Sequence, residues 1–201
     1  LPFFNFDVDV DLQGINFKKF SNFLLLATNK NKKNDFYKIN KKINGQINLT
    51  INKIYSKYNL AKSLESRIKF MNGDVFVQQL LLNLGKLGAA DIVGKIENNK
   101  KFTNFKFEKN IFIDNQKYFF SKFGIFNKKN IPSNLFISGS LDLKSLEMRF
   151  NEISNDTEFS EEDTAYIEKE FNNLLLEDGY TSFLDYLKLK EFIKLIFSEI
   201  N

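Results

Sequence analysis

The chain has 201 residues, enough for one domain with a sizeable core, and holds neither cysteine nor histidine. Disulfides, thiolate nucleophiles and cysteine-ligated metals are excluded, and the commonest general base and metal ligand are missing. The net charge of +4 hides a division: residues 1–150 carry 25 Lys/Arg against 12 Asp/Glu, whereas residues 151–201 carry 4 against 13. Such asymmetry predicts two regions of different character that attract one another. Abundant Lys, Asn, Ile and Phe all follow A/T-rich codons, and arginine occurs only at Arg67 and Arg149, so these excesses carry no functional weight.

No run approaches the ~18–20 apolar residues needed to cross a bilayer. The chain begins Leu1-Pro2-Phe3-Phe4, without Met and without a signal peptide. The expectation is a fragment whose N-terminal part, with any targeting segment, is missing.

In chain order, Phe4, Phe6, Val8, Val10 and Leu12 alternate with Asn5, Asp7, Asp9 and Asp11 up to Gly14, a strand with one wet face. The Asp-x-Asp-x-Asp spacing resembles the start of a calcium loop. Leu12 and Lys18 stand where an EF-hand needs Gly and Glu, so the solvated face of a strand is the better reading. Residues 15–26 are apolar without a clean period and fit a strand pair or a short helix. Lys30, Lys32, Lys33, Lys38, Lys41 and Lys42 then crowd one segment with a single acid, Asp35. A solvated loop is the plain reading; contact with phosphates of lipid head groups or nucleic acid is the sharper one. Sparse stacking aromatics and arginines there argue against nucleic acid.

Gly45 opens a strand with Ile47, Leu49 and Ile51 on one face, a spelling repeated at Gly73-Val75-Val77 and Gly139-Leu141-Leu143. Leu64, Ser66, Ile68 and Phe70 alternate with Glu65, Arg67 and Lys69, and Asn72-Gly73 supplies the strongest short hairpin signal. Leu80 to Leu84 is apolar on nearly both faces, and Gly85, Gly88, Ala89 and Ala90 allow a bend. Phe102, Phe105, Phe107, Ile111 and Ile113, then Tyr118, Phe120 and Ile125, read as further short strands between polar turns; the last strand region runs from Leu135 to Phe150. Many short strands with short turns predict an antiparallel sheet. After Ser154 the pattern becomes helical. Ser160 with Asp163 resembles a capping box, Ile167, Phe171, Leu174 and Leu175 follow at helical spacing, and Asp178-Gly179 ends that helix. Thr181 or Ser182 caps a second helix with the stripe Leu189, Phe192, Ile193, Ile196 and Ile200.

The predicted fold is therefore mainly β (α+β): an antiparallel meander sheet, curved or groove-like, over residues 1–152, then an acidic C-terminal helical hairpin over 153–201. No chemistry-bearing motif interrupts it. Gly85-Lys86-Leu87-Gly88 is too short for a phosphate loop, and Ser138-Gly139-Ser140 lies in a strand pattern with no base beside it. The carboxylates are scattered on polar faces, so a glycosidase-like pair has no place. The reading is non-enzymatic, with no catalytic residue, cofactor or metal.

One stretch resembles a known family. Ile68-Lys-Phe-Met-Asn-Gly-Asp-Val-Phe-Val77, then Leu80-Leu-Leu-Asn-Leu84 and Gly88-Ala-Ala-Asp-Ile-Val-Gly94, is similar to the C-terminal repeats of AsmA-like proteins. Gly139-Ser-Leu-Asp-Leu143 is similar to their closing strands, so the likeness runs loosely over residues 45–150. What the resemblance implies is a periplasmic segment of a Gram-negative-type envelope protein, anchored in the inner membrane by a missing N-terminal helix. Its β-rich groove would be related to bridge-like lipid carriers and would support outer-membrane assembly. The acidic helical tail is not part of that pattern.

Phospholipid, or another acyl-chain lipid, is thus the expected partner. The expected lipid-facing residues are Ile47, Leu49, Ile51, Ile68, Phe70, Val75, Val77, Leu82 and Leu84, continuing to Leu141 and Leu143. Lys30, Lys32, Lys33, Lys38, Lys41 and Lys42 are the expected head-group contacts. Two rival readings stand beside this one: a structural or adhesin-like β-scaffold without ligand, and a basic nucleic-acid-binding module.

Overall fold

The computed structural model describes residues 4–20, 22, 39–98, 103–126, 132–155, 158–176 and 185–199. Its strands are β1 (Phe4–Leu12), β2 (Ile15–Asn16), β3 (Ile43–Ile51), β4 (Ile54–Tyr55), β5 (Ser63–Met71), β6 (Asp74–Asn83), β7 (Gly88–Asn98), β8 (Thr103–Ile113), β9 (Asn134–Asp142) and β10 (Glu147–Ser154). Eight of them form one open sheet in the order β1-β3-β5-β6-β7-β8-β9-β10, while β2 and β4 pair separately. From β3 to β10 the sheet is an antiparallel meander, as the short turns predict.

At one edge the expectation fails. β1 pairs with β3 in parallel, from Phe4 opposite Ile43 to Leu12 opposite Ile51. Alternating hydrophobicity specifies which face is buried but carries no information on strand direction, and the 30 residues between these strands exceed any hairpin turn. The two readings open for residues 15–26 both apply in part: Ile15–Asn16 bridges to β4, and residues 17–20 are helical.

Between β5 and β6, Asn72 (φ 55°) and Gly73 (φ 89°) both take the left-handed conformation of a two-residue hairpin turn, and Gly73 lies against Lys41 and the Ile39 carbonyl. After β6 a single 3-10 turn, Gly85–Leu87, makes the bend read from Gly85 and Gly88. Gly139 sits in the middle of β9 and does not open it; a Cβ there would meet the Arg149 carbonyl, so the close approach of β10 requires glycine.

Helix α1 (Gln116–Phe123) replaces the strand read through Tyr118 and Phe120. The Asn115 side chain accepts the Tyr118 N–H at 2.9 Å, and Gly124 ends the helix at φ 70°. Phe119, Phe120 and Phe123 then fall on one buried side, a helical spacing hidden because every apolar residue of the segment is aromatic. Helix α2 (Glu161–Phe171) begins as expected: Ser160 Oγ accepts the Asp163 N–H at 3.1 Å and donates to Asp163 Oδ2 at 2.8 Å. A π-helical turn, Asn172–Leu176, continues it. Helix α3 (Tyr186–Glu199) starts at Asp185, whose Oδ1 accepts the Leu187 N–H at 2.8 Å. Asp178, Gly179, Thr181 and Ser182, read as helix stop and cap, lie outside the described residues.

The three helices share one hydrophobic core with the C-terminal half of the sheet. Phe119, Phe120 and Phe123 of α1, Ile167 and Phe171 of α2, and Phe192, Ile196 and Phe197 of α3 pack with Ile113, Leu135, Ile137, Leu141, Met148 and Ile153. Ile153 and Ile167 are wholly buried (0%). The helical region's boundary, read between residues 152 and 153, falls inside β10, and the core runs across it.

Candidate functional site

Strand pairing lines the sheet's apolar residues into cross-strand rows. One row runs Phe6–Gly45–Phe70–Val75–Ile96–Phe105–Leu141–Met148, and the next Val8–Ile47–Ile68–Val77–Gly94–Phe107–Gly139–Phe150. A third is Val10–Leu49–Ser66–Leu80–Ile92–Lys109–Ile137–Ile153. A fourth begins Leu12–Ile51–Leu64–Leu82–Ala90–Ile111–Leu135. Phe107 lies between two glycines in its row, and its ring lies against Gly139.

These rows bring Ile47, Leu49, Ile51, Ile68, Phe70, Val75, Val77 and Leu82 onto one face, with Leu84 just beyond the end of β6. They also join that face to Leu141. The alternation would break between odd-numbered Val75 and Val77 and even-numbered Leu82 unless a residue were inserted. The insertion is a bulge: Ile68 faces Val77 while Arg67 faces Gln79, so Gln78 is the extra residue. A second bulge, at Asn151, restores Ile153 to the same face after Phe150.

Among the described residues, the helical cover does not extend over all of this face. Its core takes residues of β8, β9 and β10 and reaches β7 at Ile96, whereas no residue of β1, β3, β5 or β6 belongs to it. Over those four strands, Ile47, Leu49, Ile68, Phe70, Val77, Leu80 and Leu82 are half-buried, and Phe4, Val8 and Leu12 are 64%, 41% and 39% exposed. Ile51 and Val75 are buried, so two of the nine expected lipid-facing side chains offer almost no surface.

The opposite face is richer in charge, though Met71, Val93 and Phe112 are exposed on it. Asp7, Asp9 and Asp11 are exposed there; Asp9 and Asp11 accept hydrogen bonds from the Asn48 and Asn52 side chains at 2.7 and 2.8 Å. Lys95 bridges Asp74 and Glu97 at 3.2 and 3.3 Å, and Lys106 meets Glu97 at 3.2 Å. The Asp74 contact, more than the Glu97 one, raises the Lys95 pKa, while Lys106 and then Lys95 lower that of Glu97. An open dent of about 330 Å³ lies beside Lys69, Met71, Phe76 and Val93 on this side.

Of the expected head-group lysines, Lys41 and Lys42 are exposed beside the Asn72-Gly73 turn. Lys30, Lys32, Lys33 and Lys38 lie outside the described residues. Among the described residues, no group of three or more acidic side chains is arranged to hold a metal ion, and no helix is long and apolar enough to cross a membrane. The residue that sequence reasoning missed is Lys109, in the third row. Its signal was present, because Phe105, Phe107, Lys109, Ile111 and Ile113 are all in phase. Compared with known proteins, the chain matches no family model and no curated protein.

Proposed function

We propose that this chain is a non-enzymatic, lipid-shielding segment of the AsmA-like kind, whose open apolar face over β1, β3, β5 and β6 receives acyl chains. The observation that carries the reading is the mismatch, among the described residues, between face and cover: three apolar rows cross all eight strands and a fourth crosses seven, whereas the helical core takes side chains of β8, β9 and β10 and, on β7, only Ile96. A large uncovered apolar surface in a folded domain marks an interaction site. Acyl chains suit it because they require area and no polar partner, worth ~0.8 kcal/mol per buried methylene. The periplasmic location, the inner-membrane anchor and the role in outer-membrane assembly belong to the same proposal and rest on the resemblance of residues 45–150.

Protein purified from a host with membranes is expected to carry phospholipid, detected by native mass spectrometry. Phe70→Asp or Leu82→Asp is expected to lower that occupancy in protein that still folds. Folded protein free of lipid, with this face packed dry against another part of the protein, would instead support the ligand-free β-scaffold.

A further inference from the structure

Lys109 occupies a position where a lysine is costly. On its own strand the neighbours on the same face are Phe107 and Ile111; across the ladder they are Ile92 of β7 and Ile137 of β9. All four are apolar. The only other polar side chain in the four rows is Ser66, three strands away or ~14 Å, too far to pair with it. Among the described residues no carboxylate forms an ion pair with Lys109. The acids beside it in the ladder, Glu108 on β8 and Asp91 on β7, project to the opposite face. Burial pushes the Lys109 pKa down, with no charge among the described residues to offset it. Yet the side chain keeps part of its surface accessible.

Its place in the sheet gives the isolated charge a meaning. Ile137 belongs to the helix-covered core and Ile92 does not, so Lys109 stands where the cover ends and the open strip begins. From there the third row continues as Ile92, Leu80, Ser66 and Leu49, a path from β8 to β3 of ~19 Å. A methionine would bury the same apolar stem with no charge to desolvate, so fold stability alone does not account for lysine here.

We propose that Lys109 is the head-group anchor of the apolar strip, pairing with the anionic head of an acyl lipid whose chain lies across β7, β6 and β5. This rests on the lipid-shielding reading and adds the sign of the head group and where it sits. The anion supplies the missing counter-charge at the margin of the cover, and the strip supplies apolar area for the tail.

The test compares oleate, oleoyl lysophosphatidate and neutral oleyl alcohol binding to the whole chain and to Lys109→Met and Lys109→Arg. The unmodified protein is expected to bind an anionic probe at least about tenfold more tightly than oleyl alcohol, the weight of one charge-assisted contact. Lys109→Met should lose that preference, keep its affinity for oleyl alcohol and melt at a higher temperature; Lys109→Arg should keep the preference. Whichever anionic probe binds more tightly identifies a carboxylate or a phosphate head. Equal binding of anionic and neutral probes by the unmodified protein overturns the anchor and leaves the acyl reading standing. An undiminished preference in Lys109→Met overturns it too. Binding of none of the three overturns both.

Discussion

Asn172 closes the outer edge of the sheet by taking both main-chain groups of Met148. Its Oδ1 accepts the Met148 N–H at 2.8 Å, and its Nδ2 donates to the Met148 carbonyl at 2.9 Å. One helical turn earlier, Glu168 Oε2 accepts the Phe150 N–H at 2.8 Å. Two side chains spaced i and i+4 thus stand in for a missing neighbour strand along β10. An edge strand with free amides and carbonyls is a template for pairing with other chains, and here it is blocked.

Asn172→Leu is therefore expected to cost ~1–3 kcal/mol, because it leaves the Met148 N–H and carbonyl without their partner. It should also promote self-association through β10. Chemical denaturation reads the first effect, and light scattering as a function of concentration the second. A variant as stable and as monodisperse as the parent would refute the edge-closing role.

The junction between sheet and helices gives a second expectation. Ile153 on β10 and Ile167 on α2 are both fully buried in the common core, one on the sheet and one on the helices that cover it. Ile153→Ala and Ile167→Ala should each destabilise by ~2–5 kcal/mol. Strand and helix signals should be lost in a single transition, since neither side keeps a core without the other. Helical circular dichroism lost well before the sheet unfolds would show instead that residues 153–201 form a separate unit.

The strands were legible because a half-buried sheet writes its period of two into the chain, as in Leu64 to Phe70. Local chemistry was legible too: Asn72-Gly73 turns as its φ tolerance requires, and Ser160 caps α2. Where the signal is non-local, the sequence was silent. The parallel partnership of β1 depends on the long connection from Leu12 to Ile43, not on the pattern of either strand. Helix α1 was obscured because a helix buried among aromatics resembles a buried strand. The inward faces of β3, β5 and β6 could be named in advance, but not where their cover stops, which depends on how far α1, α2 and α3 reach. Lys109 was overlooked for the opposite reason. It is in phase with Phe107 and Ile111, but a single lysine in a lysine-rich chain attracts no notice until its neighbours are known.

Gly73 provides a third expectation. Its φ of 89° belongs to the left-handed region, and an added Cβ would lie 3.1 Å from Lys41 Cγ and 3.3 Å from the Ile39 carbonyl oxygen. Gly73→Val should lower stability by ~1 kcal/mol or more through backbone strain. Gly73→Asn, which tolerates the same conformation, should lose less. Thermal melting of the two variants measures the difference, and equal losses would assign the effect to crowding by Lys41.

The last expectation concerns pH. Burial holds the Lys109 pKa below the ordinary 10.5, so between the folded-state value and 10.5 the unfolded chain binds a proton that the folded chain does not. Stability from this residue must then rise as pH climbs through that window, and below it the penalty is full and constant. Two other groups work against it in alkali. Lys95, raised mainly by Asp74, contributes stability that is complete below 10.5 and is lost as pH rises past its folded-state value. Burial raises Tyr186 above 10.0, and the nearby Tyr58 and Tyr118 phenols add to the shift, so its contribution also falls as pH rises. Comparison of the parent with Lys109→Met cancels both. The variant should be the more stable near neutrality, and its advantage should shrink steadily as pH rises towards 10.5. An advantage independent of pH would mean that Lys109 carries its full charge in the folded protein at an ordinary pKa.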